Sequence, residues 1–472
     1  MKAEITKRTL FRTKSVQAIC ADADNSTHKL ARTLRAIDLV VLGVGAIVGA
    51  GIFVLTGTAA ATKAGPAVVV SFMLSGLGCA LAGFCYAELA STIPVAGSAY
   101  TYAYATLGEF IAWMIGWDLI LEYIVAASTV SIGWSGYFVK WLEGYGIALP
   151  YAWTHGTFDG GIINLPAVGI IVFVTTLLIV GIKESAWMTG LLVALKLGVI
   201  VVFLILGIPW VRPENWSPFF PFGTWGVVAG AGVIFFAYIG FDAITTTSEE
   251  TRNPARDLPI GILGSLVICT VLYIVVALVL TGMVPYTELN HPAPVALALE
   301  KVGIGWGMQL VSVGAVLGLA SVLIVMLIGQ PRVFFAMSRD GLLSPWIAKV
   351  HPKFQTPYRA TLVTGGAVIL GSATLPISAA GEMTSIGTLF AFMIVCLGVI
   401  ILRKTQPNLR RGFRTPFSPF VPALGTLVCF IMMCGLDLAT WIRFVVWMAI
   451  GVVIYFSFGL RHSRLNQPST EQ

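Results

Sequence analysis

The chain has 472 residues, of which 57% are hydrophobic and only 11% charged, where a soluble globular chain carries about a quarter. With a mean hydropathy of +0.88 it is excluded from the soluble globules and reads as an all-α integral membrane protein. The net charge of +7 needs no nucleic-acid partner, because its lysines and arginines follow membrane topology, as their positions below make clear.

Residues 1–35 mix charges with short apolar steps and lack an apolar core followed by a small-residue cleavage site, so they read as a cytoplasmic arm and not as a cleaved signal peptide. Beyond them, stretches of about 20 apolar residues, each enough to cross roughly 30 Å of hydrocarbon, predict twelve spans. They cover Ile37–Gly57, Pro66–Leu89, Phe110–Tyr137, Ile163–Ile182, Ala186–Ile208 and Val227–Thr247, then Pro259–Val284, Met308–Ala336, Tyr358–Leu375, Met383–Leu402, Val421–Leu436 and Trp441–Leu460. With both ends inside, 23 basic residues fall on the cytoplasmic side and five outside, with Lys196 within a span. That bias is the one that orients membrane proteins.

The first span weakens itself at its midpoint. "GVGAIVGAG" holds four glycines in nine residues, Gly43 to Gly51, although each glycine costs a helix about 1 kcal/mol relative to alanine. Gly45 and Gly49 also make a G-x-x-x-G helix-packing motif, which is the plainer reading. The third span carries Asp118 and Glu122 in "GWDLILEY", four apart and on one helix face; two such acids at depth repel unless one holds its proton or faces water. Both structural hydrogen bonding and proton handling fit them. In the fifth span Lys196 stands ten residues beyond Ala186, some 15 Å deep at a rise of about 1.5 Å per residue. A snorkelling stem is the bland alternative; a buried amine that titrates, or that takes a cation's place, is favoured. Glu88, Glu109 and Asp38, near span ends, read as boundary or loop-packing groups.

The sixth span repeats the anomaly of the first. "FFAYIGFDAITTTSEETRNP" sets Gly240 and Asp242 in mid-segment among aromatics. Interruptions five spans apart are expected where two five-helix repeats carry equivalent broken helices. A break at mid-membrane frees amides and carbonyls, tolerable only against a cavity or ligand. Amides opening a half-helix suit a carboxylate and loose carbonyls an ammonium, so a pair of breaks suits an α-amino acid.

No loop holds a separate domain; the outer excursions at Tyr145–Gly161 and Val284–Gly307 leave room only for short helices such as Pro294–Val302. The five histidines lie in loops or tails, and the motifs of metalloproteases, P-loops and nucleophile elbows are missing, so no enzyme is expected. Of seven cysteines, all but Cys20 lie within spans and read as small buried apolar residues, with neither disulfide nor metal spacing.

Several motifs in order, "GVGAIVGAGIF", "GWDLILEY", "FFAYIGFDAITTTSEETRNPARDLPIGI", "PRVFFAMSRDGLLSP" and "FRTPFSPFVPALG", give the chain its likeness. From Leu34 to Leu460 it resembles the amino acid, polyamine and organocation superfamily and, within it, bacterial homologues of the cationic amino acid transporters. The resemblance implies a LeuT-like fold of two inverted five-helix repeats, 36–208 and 223–402, with broken helices 1 and 6, two peripheral helices at 415–460 and a cytoplasmic tail at 461–472. It puts the substrate carboxylate at the backbone of Gly49, Ala50 and Gly51. The ammonium meets carbonyls of Ile47, Phe236, Ala237 and Ile239, Phe236 acts as an aromatic gate, and Met326 faces the side-chain pocket.

Lys196 matches a lysine that stands where sodium-coupled relatives bind sodium. The expectation is a secondary transporter of L-amino acids in the plasma membrane, sodium-independent and proton-coupled through Lys196, working by alternating access. Small neutral and cationic substrates both stay open, with Asp242, Asp118 and Glu122 as candidate polar contacts. No cofactor, metal or nucleic acid is expected; the partners are the amino acid, the proton and the bilayer, with a small partner subunit left open. Exchange without net proton coupling and a membrane sensor are the alternatives, whereas no filter sequence supports a channel.

Overall fold

The computed structural model describes residues 12–14, 33–93, 99–181, 186–354 and 356–466. Cys20, Lys183 and most of the expected arm and tail lie outside the described residues. Among those described there is no strand. One isolated bridge joins Leu34 to Thr251, with Leu34 N–H donating to Glu250 O at 3.0 Å and Arg252 N–H to Leu34 O at 2.9 Å.

Helix α1, Ala36–Ile47, starts where Asp38 accepts the N–H of Arg35 at 2.9 Å, satisfying one of the donors that a helix start leaves orphaned. It stops at Val48, whose ψ of 102° is extended. The helix resumes as α2, three short pieces over Gly51–Leu55, Thr56–Ala59 and Ala60–Ala64, of which the outer two are π-wound. Gly65, at φ 64°, then turns the chain into α3, Val68–Thr92. A short helix not anticipated above, α4 at Ala99–Thr106, is almost wholly buried and leads into α5, Glu109–Glu143.

Next come α6, Leu165–Val180, and α7, Ala186–Gly207. Helix α8, Gly223–Ile234, runs into a 3-10 turn at Phe235–Tyr238 and, past Gly240, a 3-10 stretch at Phe241–Glu250. The second half of the chain adds α9, Pro254–Met283; α10, Pro294–Lys301; α11, Gly305–Arg339; α12, Tyr358–Thr374; and α13, Ile377–Thr405. Helices α14, Phe420–Cys434, and α15, Leu438–Ile454, complete it.

Among the described residues, eight helical segments are long and apolar enough to cross a membrane. One of these, Gly51–Thr92, runs together the end of the first expected span and all of the second; Ala36–Ile47, Leu165–Val180 and Phe420–Cys434 are shorter apolar helices. On α15, Leu438, Ile442, Val445, Val446 and Val453 are exposed, the apolar outer face that a lipid-contacting helix requires. Helices α5 and α11 pack along each other at the centre, and α9 lies against both α1 and α3. Five of the described cysteines are buried as expected; Cys434, at the end of α14, is instead exposed.

Glu88 packs a loop, one of the two readings given above. It is 1% exposed and accepts Arg403 through both oxygens, at 2.9 and 2.6 Å, together with the N–H of Thr415 at 2.7 Å. Arg411 adds an ion pair at 3.2 Å, so one carboxylate ties α3 to the end of α13 and the loop after it. At the far end of α5, Lys140 pairs with Glu143 at 2.9 Å and with Glu300 of α10 at 2.7 Å. Beside it His291 accepts the N–H of Ala293 at 3.0 Å; burial, and then the Lys140 ammonium, push its imidazole down to about 4.

Candidate functional site

Both glycine-marked segments break, and the breaks press against each other. Val48 N–H still bonds Val44 O at 2.9 Å, but the next carbonyl, that of Gly45, accepts the Lys196 ammonium at 3.1 Å. The amides that open α2 at Gly49–Gly51 have no carbonyl one turn back to bond, as at any helix start. In the second break Ile239 is extended at ψ 135° and Gly240 has φ 117°, a conformation open to glycine but costly to other residues. Added to Gly240, a Cβ would sit 2.8 Å from the carbonyl oxygen of Ala46; added to Gly51, it would sit 2.2 Å from the Cα of Ala237. Glycine at both positions is therefore what lets the two interruptions touch.

The surrounding helices close on this junction. A Cβ on Gly49 would meet Val322 of α11 at 3.2 Å, and Met326 lies one turn further along α11 on the same face. Phe236 is 5% exposed and Met326 9%, so the junction is shut off from solvent. Lys196 is 3% exposed; its stem crosses Gly318, where a Cβ would lie 3.0 Å away. A fully buried ammonium is costly unless paired, and the carbonyl end of a half-helix offers both a hydrogen bond and the favourable end of the helix dipole.

The three candidate acids divide. Asp242 is partly used in its own turn, accepting the N–H of Gly240 at 3.3 Å. Asp118, fully buried, faces Gly387 of α13, where a Cβ would come within 2.8 Å of Oδ1. Both its oxygens, and Oε2 of Glu122, have no hydrogen-bond partner among the described residues. Asp118 thus lies against α13, and Glu122, one turn further along α5, is within electrostatic reach of Asp242 just past the second break. Among the described residues no three His, Cys, Asp or Glu side chains gather as a metal site would need.

One residue was not singled out in the sequence. Tyr273 of α9 is fully buried, and its hydroxyl donates to the carbonyls of Ile47, at 3.0 Å, and Ala237, at 2.9 Å. These are two of the four carbonyls expected to meet the substrate ammonium; a third, that of Phe236, accepts the N–H of Ile239 at 3.2 Å. The available signal was a tyrosine in the otherwise apolar "VLYIVVALVL", since a buried phenol needs a partner.

Comparison with known proteins agrees with the geometry. The model of the family described as amino acid permease matches residues 34–457. A methylthioribose transporter of Bacillus subtilis is 47% identical over 460 residues, covering 97% of this chain and 99% of the relative. A branched-chain amino acid permease of the same organism is 48% identical, covering 98% and 100%. A vacuolar cationic amino acid transporter of Arabidopsis thaliana is 38% identical, covering 84% of this chain and 68% of the relative. With a match along nearly its whole length and two touching helix breaks at its centre, the chain belongs to the amino acid permease family and is a multi-pass membrane transporter, not an enzyme.

Proposed function

We propose that the chain carries L-amino acids across the plasma membrane by alternating access, without sodium and coupled to protons. The reading has twelve crossings with both termini cytoplasmic, two inverted five-helix repeats at 36–208 and 223–402, and peripheral helices at 415–460. The amides of Gly49, Ala50 and Gly51 hold the carboxylate, because unpaired N–H groups at a helix start attract anions. Carbonyls of Ile47, Phe236, Ala237 and Ile239 receive the ammonium, and Phe236 and Met326 bound the side chain. The observation that carries this reading is the contact of two interrupted helices, Gly51 against Ala237; only a ligand or cavity makes such backbone tolerable in lipid.

Lys196 supplies the coupling. Its ammonium on Gly45 O fills with a fixed charge the end of α1, where a sodium ion would otherwise bind, and loss of its proton would release that half-helix. A relative named for methylthioribose transport supports a second substrate class, a neutral sugar with no carboxylate or ammonium for the breaks to read. Uptake of labelled L-alanine, L-isoleucine, L-arginine and methylthioribose into proteoliposomes, with and without an imposed pH gradient, separates these. Accumulation of an amino acid driven by the gradient alone is expected, and Lys196→Ala should abolish it while leaving exchange across equal pH measurable. Undiminished accumulation in that variant would refute the coupling role, and a sodium requirement would refute the rest of the mechanism.

A further inference from the structure

Resting on the amino acid reading above, we infer that Tyr273 is a positioning residue for the substrate's ammonium, its hydroxyl clamping the two helix breaks at the spacing that the ammonium needs. The hydroxyl is the one side-chain group in hydrogen-bond contact with both breaks among the described residues, at 3.0 Å from Ile47 O and 2.9 Å from Ala237 O. Its ring cannot drift. It is fully buried, with Phe72 at 5.4 Å and Tyr238 at 5.5 Å between centroids, and Tyr238 is itself tied to the carbonyl of Phe72 at 2.9 Å.

A phenol has one proton to give. Shared between two carbonyls, it holds them side by side and leaves each with unmet acceptor capacity, since every carbonyl oxygen has two lone pairs. An ammonium brings three protons, so it can join both carbonyls without displacing the tyrosine. The phenol thus does in the empty transporter part of what the ammonium does in the loaded one, and it does so from α9, a helix that carries neither break. Preorganisation of this kind raises affinity by removing the cost of ordering the acceptors at the moment of binding.

Tyr273→Phe keeps the ring and removes the hydroxyl. In proteoliposomes, with the amino acid that the wild type carries best, KM is expected to rise about tenfold, the weight of one good buried hydrogen bond, with Vmax within about twofold. Preference for the amino acid over its deamino analogue, propionate for alanine or 3-methylpentanoate for isoleucine, should shrink by a similar factor. A merely structural bond would not move that ratio. Ser75→Ala is the control: it removes another buried hydroxyl that donates between helices, to Ala231 O at 2.8 Å, and should leave KM and the ratio unchanged. An unaltered KM and ratio in Tyr273→Phe would overturn the inference, as would an equal shift in Ser75→Ala or a Tyr273→Phe protein that fails to fold. Absence of amino acid uptake by the wild type would instead overturn the transport reading.

Discussion

Substitution of Gly51 by alanine tests the touching breaks directly. The new methyl would lie 2.2 Å from the Cα of Ala237 and 2.8 Å from its nitrogen, whereas non-bonded carbons rest about 3.5–4.0 Å apart. The two interruptions would have to part by about 1.5 Å. Overpacking a tight site costs about 1–3 kcal/mol, and backbone against backbone belongs at the upper end, because no side chain can rotate away. About 3 kcal/mol taken from the closed, loaded state corresponds to roughly a hundredfold loss of transport efficiency. Gly49→Ala should be milder, since the nearest atoms to its methyl belong to the side chain of Val322, with Cγ2 at 3.2 Å, and below about 1 kcal/mol is expected where a side chain can yield. Gly366 of α12 has nothing within 4 Å of a built Cβ, so Gly366→Ala should transport normally and gain up to about 1 kcal/mol of helix stability. Initial uptake rates in proteoliposomes, with melting temperatures of the purified variants, give the ranking. If Gly51→Ala transports as well as Gly366→Ala, the junction of the breaks is not where substrate is held.

Two further expectations concern the ends of the bundle. Glu88→Gln strips the charge from a buried carboxylate that satisfies Arg403 and Thr415, and breaking a buried pair costs about 3 kcal/mol; thermal unfolding in detergent should fall by several degrees, and protease should cleave sooner within 404–415. His291, held near 4 by burial and then by Lys140, must protonate more readily once unfolded, where its value is about 6.5. Its contribution is therefore complete above about pH 6.5 and is lost as pH falls toward 4, at up to about 1 kcal/mol per unit. His291→Asn should flatten the acid limb of a melting-temperature profile taken between pH 7 and 4.5, and an unchanged limb would show that other groups set it.

Apolar periodicity and length made the helices legible, because a bilayer leaves the backbone few choices. Glycine density marked both breaks to within a residue or two: α1 ends at Ile47 and resumes at Gly51, and the second interruption falls at Ile239 and Gly240. The short helix α4 went unseen because "AYTYAYAT" is neither long nor amphipathic, and only its neighbours bury it. Tyr273 was equally hidden. Its identity is plain in the sequence, but which carbonyls its hydroxyl reaches depends on how α9 leans on two other segments. Asp118 and Glu122 are paired by their spacing, yet that Asp118 turns to α13 while Glu122 comes within reach of Asp242 is a matter of helix rotation that spacing alone leaves free.

The small bridge at Leu34 carries a mechanical consequence. Two backbone hydrogen bonds, at 3.0 and 2.9 Å, stitch the residue just ahead of α1 to the segment that closes the 3-10 stretch after Gly240. Those two half-rods share a seam at one end and meet where Gly240 lies against the carbonyl of Ala46 at the other, so neither can tilt without dragging its companion. A load placed on either rod is thereby passed to the other through both joints, which makes the pair one mechanical strut.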